Sequence, residues 1–173
     1  MSLINPAILD AMIDMARETP PGDFAEVGVY RGGSAARLAD LARRQERRLF
    51  LFDTFTGIPE ATPEVDAHKI GDFSDTSVDL VRSAVGPEPI IVVGDATETL
   101  PETETGPLAF VHLDCDQYAT YRAAIIELMP RMVRGGVMWF DDVADLPGAR
   151  RAVEELFGKE LMAHDCMRHY VRF

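Results

Sequence analysis

Five short runs along the chain are apolar at nearly every position: residues 24–29 (FAEVGV), 48–53 (RLFLFD), 89–95 (PIIVVGD), 108–114 (LAFVHLD) and 135–141 (GGVMWFD). Continuous rather than alternating hydrophobicity predicts strands buried on both faces of a parallel sheet. Residues 33–45, 75–85, 118–133 and 148–158 carry apolar positions at helical spacing, with Pro130 placed to end or bend the third of them. At the front of the chain Asn5 and Pro6 form a helix-start signal. Ile8, Met12, Ile13 and Ala16 follow at helical spacing until PPG at 20–22, so residues 1–22 are expected to hold an N-terminal helix. Strand and helix thus alternate, which predicts an α/β fold with a doubly wound, mostly parallel sheet and right-handed crossovers. Residues 161–166 and 169–173, separated by Met167 and Arg168, predict a C-terminal antiparallel hairpin.

Two features stand outside this alternation. Residues 54–73 show no periodicity and are too long for an ordinary strand-to-helix connection, which makes them a candidate lid loop. Acidic residues also close the strands, at Asp53, Asp95, Asp114 and Asp141. In a doubly wound sheet those ends share one edge, where ligands bind. An unpaired buried carboxylate costs several kcal/mol, so Asp114 and Asp116 at the end of an apolar run call for a cation, polar partners or water.

Bulk properties narrow the function. At 173 residues and 47% hydrophobic, the chain is expected to form a single domain over 1–173. A formal charge of -12 disfavours nucleic acid and anionic membrane surfaces, though it serves ordinary solubility equally well. Cys115 and Cys166 make neither a disulfide framework nor a zinc site, and both are expected to be small buried thiols in a reducing, cytoplasmic setting. The opening residues have no basic n-region and no long apolar core, so neither a signal peptide nor a membrane span is expected.

Three groups of residues carry candidate chemistry. Residues 25–35 (AEVGVYRGGSA) run from a strand through a glycine-containing turn into a helix. Gly28 and Gly32 allow close backbone approach, and the helix N-terminus offers free N–H groups; tight packing alone is the plainer reading. The spacing is not the G-x-G-x-x-G of dinucleotide binders, and Asp53 falls where a ribose diol is held in such sheets. Second, one crossover separates Asp114 from Asp141, so their strands are expected to be neighbours about 4.8 Å apart, near enough for Asp114, Asp141 and Asp142 to share one cation. Mg²⁺, with oxygen ligands at about 2.1 Å and several retained waters, suits such a set. Taken singly, Asp141 reads as a helix cap and Asp114 as an acceptor for backbone N–H groups. Third, Asp116 just past the strand end is a candidate general base or extra metal ligand. His112 is expected beneath the site as a core residue, and His68, Lys69 and Asp72 as candidate acceptor-pocket residues in the loop.

Taken together, EVGVYRGGS, LFLFDTFTGIPE, VVGDATETLPE, FVHLDCDQY, RGGVMWFDDV and LPGARRAVEELF resemble the macrocin O-methyltransferase family across roughly residues 23–158. The first block also resembles catechol O-methyltransferase. The family's members are class I S-adenosylmethionine-dependent enzymes that methylate sugar hydroxyls in antibiotic biosynthesis. The resemblance implies a Rossmann-like, seven-stranded sheet whose antiparallel seventh strand is the terminal hairpin. It implies that Glu26, Gly28, Tyr30 and Ser34 surround the methionine part of S-adenosylmethionine, with Gly32 in the same turn. Asp53 then takes the ribose hydroxyls, Asp95 and Ala96 approach the adenine, and Asp114, lying beside that site, joins Asp141 and Asp142 in binding Mg²⁺. Asp114 or Asp116 takes the acceptor's proton. The partner implied is a small molecule with a hydroxyl, such as a natural-product sugar. Relatives acting on large natural products carry an N-terminal extension over the acceptor site. With about 23 residues before the first strand here, the cover is expected from the 54–73 loop or a second subunit of a homo-oligomer.

Two other readings compete. LDCDQY with FDDV imitates the D-x-D and DD acids of haloacid-dehalogenase-like phosphohydrolases, but Tyr118 stands where Thr or Val is usual and four strands precede the pair. A non-catalytic S-adenosylmethionine-binding protein is the other. A nicotinamide oxidoreductase lacks both G-x-G-x-x-G and Tyr-x-x-x-Lys.

Overall fold

The structure is a computed structural model describing residues 3–173, the Lys159 side chain excepted; Met1 and Ser2 of the expected 1–22 segment lie outside the described residues. Its elements are α1 (Pro6–Arg17), β1 (Asp23–Val27), α2 (Gly33–Arg44), β2 (Leu49–Asp53), α3 (Val78–Val85), β3 (Ile90–Val93), α4 (Ala96–Glu102), β4 (Leu108–Leu113), α5 (Tyr118–Leu128), β5 (Met132–Phe140), α6 (Pro147–Phe157), β6 (Met162–Ala163) and β7 (His169–Arg172). The strands form one seven-stranded sheet in the order β3-β2-β1-β4-β5-β7-β6. The first five strands are parallel, and β7 pairs antiparallel with both β5 and β6. The chain order reverses between β1 and β4, which makes their C-terminal ends the switch point of the sheet.

Local chemistry explains the boundaries. The Asn5 side chain accepts from the Ala7 N–H at 2.9 Å and Pro6 fills the first helical position, so α1 starts where sequence predicts. Pro130 ends α5 earlier than its periodicity suggests: residues Met129–Arg131 tighten into a 3-10 turn and β5 begins at Met132. The short helix α4 has too few residues for periodicity to reveal it, yet Asp95 caps it by accepting from the Thr97 N–H at 2.8 Å.

Two apolar layers enclose the sheet. On one face Val27, Phe52, Val111, Leu113 and Phe140 pack against α4, α5 and α6; on the other Phe24, Leu51, Phe110 and Trp139 pack against α1, α2 and α3. Two expectations of burial fail. β3 is an edge strand rather than a doubly covered one, with Val93 55% exposed where Val111 in β4 is 0%. Its apolar run reflects strand propensity without a second neighbour to bury it. Cys115 is buried, but Cys166 is only half-buried in the terminal hairpin. Among the described residues no helix is long and apolar enough to cross a membrane. The edge assignment has a measurable consequence. Val93→Ala should shift the urea-unfolding free energy by under about 0.5 kcal/mol, whereas Val111→Ala should cost about 1.5–3 kcal/mol.

Candidate active site at the carboxyl ends of the strands

The turn after β1 is built around Gly28. Its φ of 86° favours glycine, and a Cβ placed there would lie 1.9 Å from the Asp114 carbonyl oxygen. The turn therefore crosses directly over the end of β4. Asp53 holds it in place: its Oδ2 accepts from the Val29 and Tyr30 N–H groups at 2.7 and 2.8 Å, and its Oδ1 from the Phe55 N–H at 2.7 Å. Behind the turn, Glu26 is fully buried and its Oε1 accepts from the Ser34 hydroxyl at 2.5 Å and pairs with His112 Nδ1 at 2.8 Å. Burial works against a charged His112, but the Glu26 hydrogen bond and charge outweigh it and raise the histidine pKa. These residues sit on β1, α2 and β4, with Glu26 and His112 directly paired across the sheet.

Between the turn and the opposite strand ends lies a cavity of about 440 Å³. Gly28, Tyr30, Ser34, Asp53, Asp95, Ala96, Asp114, Asp116, Asp141 and Asp142 all reach its wall. Glu26 and Gly32 do not: Glu26 lies one layer behind, supporting Ser34, and Gly32 packs against Val81 of α3. The volume falls in the range typical of sites for small organic ligands.

One end of the cavity is acidic. β4 and β5 are neighbours, in register from Phe110 opposite Val137 to Leu113 opposite Phe140, so Asp114 and Asp141 emerge side by side. Carboxylate oxygens of Asp114, Asp141 and Asp142 lie within 4.8 Å of one another. Burial, then the charges of Asp142 and Asp141, hold the Asp114 pKa well above the usual carboxylate range. The same causes push Asp116 up to about 8. Asp142 rises to about 6 through burial, restrained by hydrogen bonds from the Tyr121 hydroxyl at 2.8 Å and the Asp116 N–H at 3.1 Å. The helix-cap reading of Asp141 finds no support, because its side chain makes no capping hydrogen bond to the 3-10 turn Asp142–Ala144 that follows. A compact set of hard oxygen donors, held close together in a mostly buried corner, fits a divalent ion.

The strand does not persist to residue 116, so residues 112, 114 and 116 do not share one strand face. β4 ends at Leu113, and Asp116 adopts φ 64° in the turn beyond. From there it faces His68 Nε2 at 3.7 Å.

The 54–73 loop is folded over this edge without helix or strand. Asp66 Oδ1 accepts from the Tyr118 N–H at 2.8 Å, and the loop packs so closely on α6 that a Cβ at Gly148 would lie 2.2 Å from that oxygen. Gly57, Ile58, Pro59 and Phe73 turn toward the cavity. His68, Lys69 and Asp72, the expected pocket residues, do not line it. Asp72 is occupied by the Lys69 N–H at 2.8 Å, and His68 stacks edge-on against Phe73 with ring centroids 5.0 Å apart.

Two residues of the site escaped sequence reasoning, Tyr121 buried behind the acidic wall and Arg168 on it. Tyr121 lies one helical turn beyond Gln117, which points it back at the end of β4, where its hydroxyl proton is shared between Asp142 and the Leu113 carbonyl, 2.7 Å away. Arg168, read from sequence as a hairpin separator, reaches the cavity wall. Its signal was the antiparallel register. His169 pairs with Phe140, so the residue before His169 comes opposite Asp141.

The fold and its strand-edge cavity define the class I methyltransferase architecture. The chain aligns with the O-methyltransferase NovP at a TM-score of 0.86 and 23% identity, covering 99% of this chain and 81% of that one. It also aligns with TomG from Streptomyces achromogenes, an O-methyltransferase of tomaymycin synthesis solved with SAM, at a TM-score of 0.65 and 18% identity, covering 96% and 78%. Residues 6–168 match the Macrocin-O-methyltransferase (TylF) family, and the chain belongs to it. A curated relative, the 8-demethyl-8-(2,3-dimethoxy-alpha-L-rhamnosyl)-tetracenomycin-C 4'-O-methyltransferase of Streptomyces olivaceus, is 31% identical over 155 residues. That match covers 80% of this chain and 59% of the relative, so the chain spans about three-fifths of the length of the curated protein it resembles.

The contact between Gly28 and Asp114 gives a direct test. Gly28→Ala should lower the melting temperature by at least about 5 °C in a thermal scan, and by more than Gly71→Ala, which shares the left-handed φ of 86° but meets nothing within 4 Å, so the difference between the two reads the backbone clash.

Proposed function

We propose that this protein is an S-adenosylmethionine-dependent O-methyltransferase that uses a divalent ion, Mg²⁺ in the first instance, and acts on a hydroxyl of a small molecule such as a natural-product sugar. One observation carries the reading: a single cavity joins the Gly28 turn to the acidic group Asp114, Asp141 and Asp142. Family membership and the sugar methyltransferase relative support the acceptor class. Family membership also removes the phosphohydrolase alternative.

In this reading Ser34 and the N–H groups opening α2 receive the methionine carboxylate, and Glu26 holds Ser34 in the required rotamer. Asp53 keeps the turn closed and offers its remaining lone pairs to the ribose hydroxyls. Asp95 and Ala96 flank the adenine end. S-adenosylmethionine, when bound, supplies an electrophilic sulfonium methyl. Asp114, Asp141 and Asp142 would hold the divalent ion, whose positive charge would lower the pKa of a nearby acceptor hydroxyl. Asp116, at the cavity wall beside this trio, takes the hydroxyl proton on its carboxylate, which a divalent charge in the trio would keep ionised against the repulsion that otherwise raises its pKa. Ile58 and Phe73 cover the cavity from the loop side and exclude water. The remaining rate advantage comes from holding acceptor and methyl in line.

S-adenosylhomocysteine at about 100 times its dissociation constant should stabilise the protein by about 2.7 kcal/mol, roughly 5–10 °C in melting temperature for a chain of this size, and NAD should not. No shift with S-adenosylhomocysteine sinks the reading. Asp141→Asn should abolish metal-dependent methyl transfer while leaving S-adenosylhomocysteine affinity within about twofold. Equal loss of both would count against a metal role for Asp141, and cofactor binding with no transfer to any hydroxyl acceptor would favour a non-catalytic binder.

A further inference from the structure

The acidic end of the cavity already holds one cation, and it belongs to the protein. Arg168 precedes β7, and the antiparallel pairing of His169 with Phe140 brings it opposite Asp141. Its Nε lies 3.3 Å from Asp141 Oδ1 and its Nη1 2.9 Å from Asp145 Oδ2. The Arg168 side chain is only 14% exposed and Asp141 8%, whereas Asp145 is 64% exposed. The guanidinium thus bridges a buried carboxylate inside the site and a solvated one outside it. Four carboxylates, Asp114, Asp116, Asp141 and Asp142, meet at this end of the cavity, and Arg168 is the one basic side chain bonded to any of them by a direct hydrogen bond among the described residues.

We propose that Arg168 is a built-in counter-cation which shares Asp141 with the divalent ion and sets that ion's affinity, and that Asp145 tunes this by drawing the guanidinium outward. The inference rests on the reading of Asp114, Asp141 and Asp142 as the cation site. Its physical basis is competition. Asp141 Oδ1 faces Arg168, and a guanidinium this close to a divalent ion repels it while fixing the carboxylate that both contact. When the ion leaves, Arg168 keeps Asp141 from standing as an uncompensated buried charge. Arg168 acts through Asp141 and is therefore a positioning residue.

The test is a double-substitution cycle read by calorimetric titration of MgCl₂ and MnCl₂ into the whole protein, with no turnover involved. Arg168→Met should tighten divalent binding at least about fivefold, the scale of removing a unit charge beside a divalent ion in well-solvated surroundings. Arg168→Lys, which keeps the charge, should restore most of the wild-type affinity. Asp145→Asn should weaken binding about two- to fivefold in the wild-type background, and by no more than about 1.5-fold in the Arg168→Met background, because its effect passes through the arginine. Unchanged or weaker binding in Arg168→Met, or an equal Asp145→Asn effect in both backgrounds, overturns the proposal while leaving the metal site intact. A wild-type protein that takes up neither ion overturns the metal-site reading and this proposal with it. Retained S-adenosylhomocysteine binding in each variant shows that the fold has survived substitution.

Discussion

The close approach of Gly28 to the Asp114 carbonyl is the constraint on which the site depends. A backbone cannot pass that near another unless the residue lacks a side chain and tolerates a left-handed φ. Because it does pass, the β1 turn and the β4 end form one rigid corner at the switch point of the sheet. Asp53 locks the corner through the Val29 and Tyr30 N–H groups and braces its own turn through that of Phe55. Glu26, His112 and Ser34 form its buried underside. The cavity and its acidic wall are set relative to one another by this contact, before any loop contributes.

Around that corner the structure trades burial against charge. Carboxylates gathered at one edge of a sheet repel one another, and the fold offsets this by different means at each strand end. Asp53 and Asp95 are neutralised by backbone dipoles at a turn and at a helix start. Asp142 leans on Tyr121, and Asp141 on Arg168. Among the described residues Asp114 has no comparable side-chain partner, and burial with its acidic neighbours raises its pKa. The remaining electrostatic need is concentrated at the place where the proposed chemistry requires a cation.

Much of this was legible in the sequence, because its signals are local or set by topology. Continuous apolar runs located the parallel strands, Asn5 and Pro6 the first helix, and a single crossover the adjacency of Asp114 and Asp141. What escaped depended on contacts between distant segments. Nothing local distinguishes β3 from the central strands, since its exposure follows from having one neighbour rather than two. The motif position of Glu26 implies a place beside the ligand, yet its carboxylate is taken up by Ser34 and His112 behind the cavity wall. The loop residues Ile58 and Phe73 took the places expected for His68, Lys69 and Asp72, because apolar side chains fold inward once Asp66 anchors the loop to Tyr118 and Gly148. Arg168 required the hairpin register, which periodicity alone does not supply.

The position of β7 bears on how the protein survives its own synthesis. The strand enters between β5 and β6 rather than adding to the outside of the sheet. Until residues 169–172 arrive, β5 presents a free backbone edge flanked by Val137, Met138, Trp139 and Phe140, all fully buried in the finished fold. Such an edge is a template for pairing with another chain. β7 therefore covers the β5 edge, and its pairing also seats the arginine opposite Asp141. Cover for that edge and completion of the acidic site arrive in the same step.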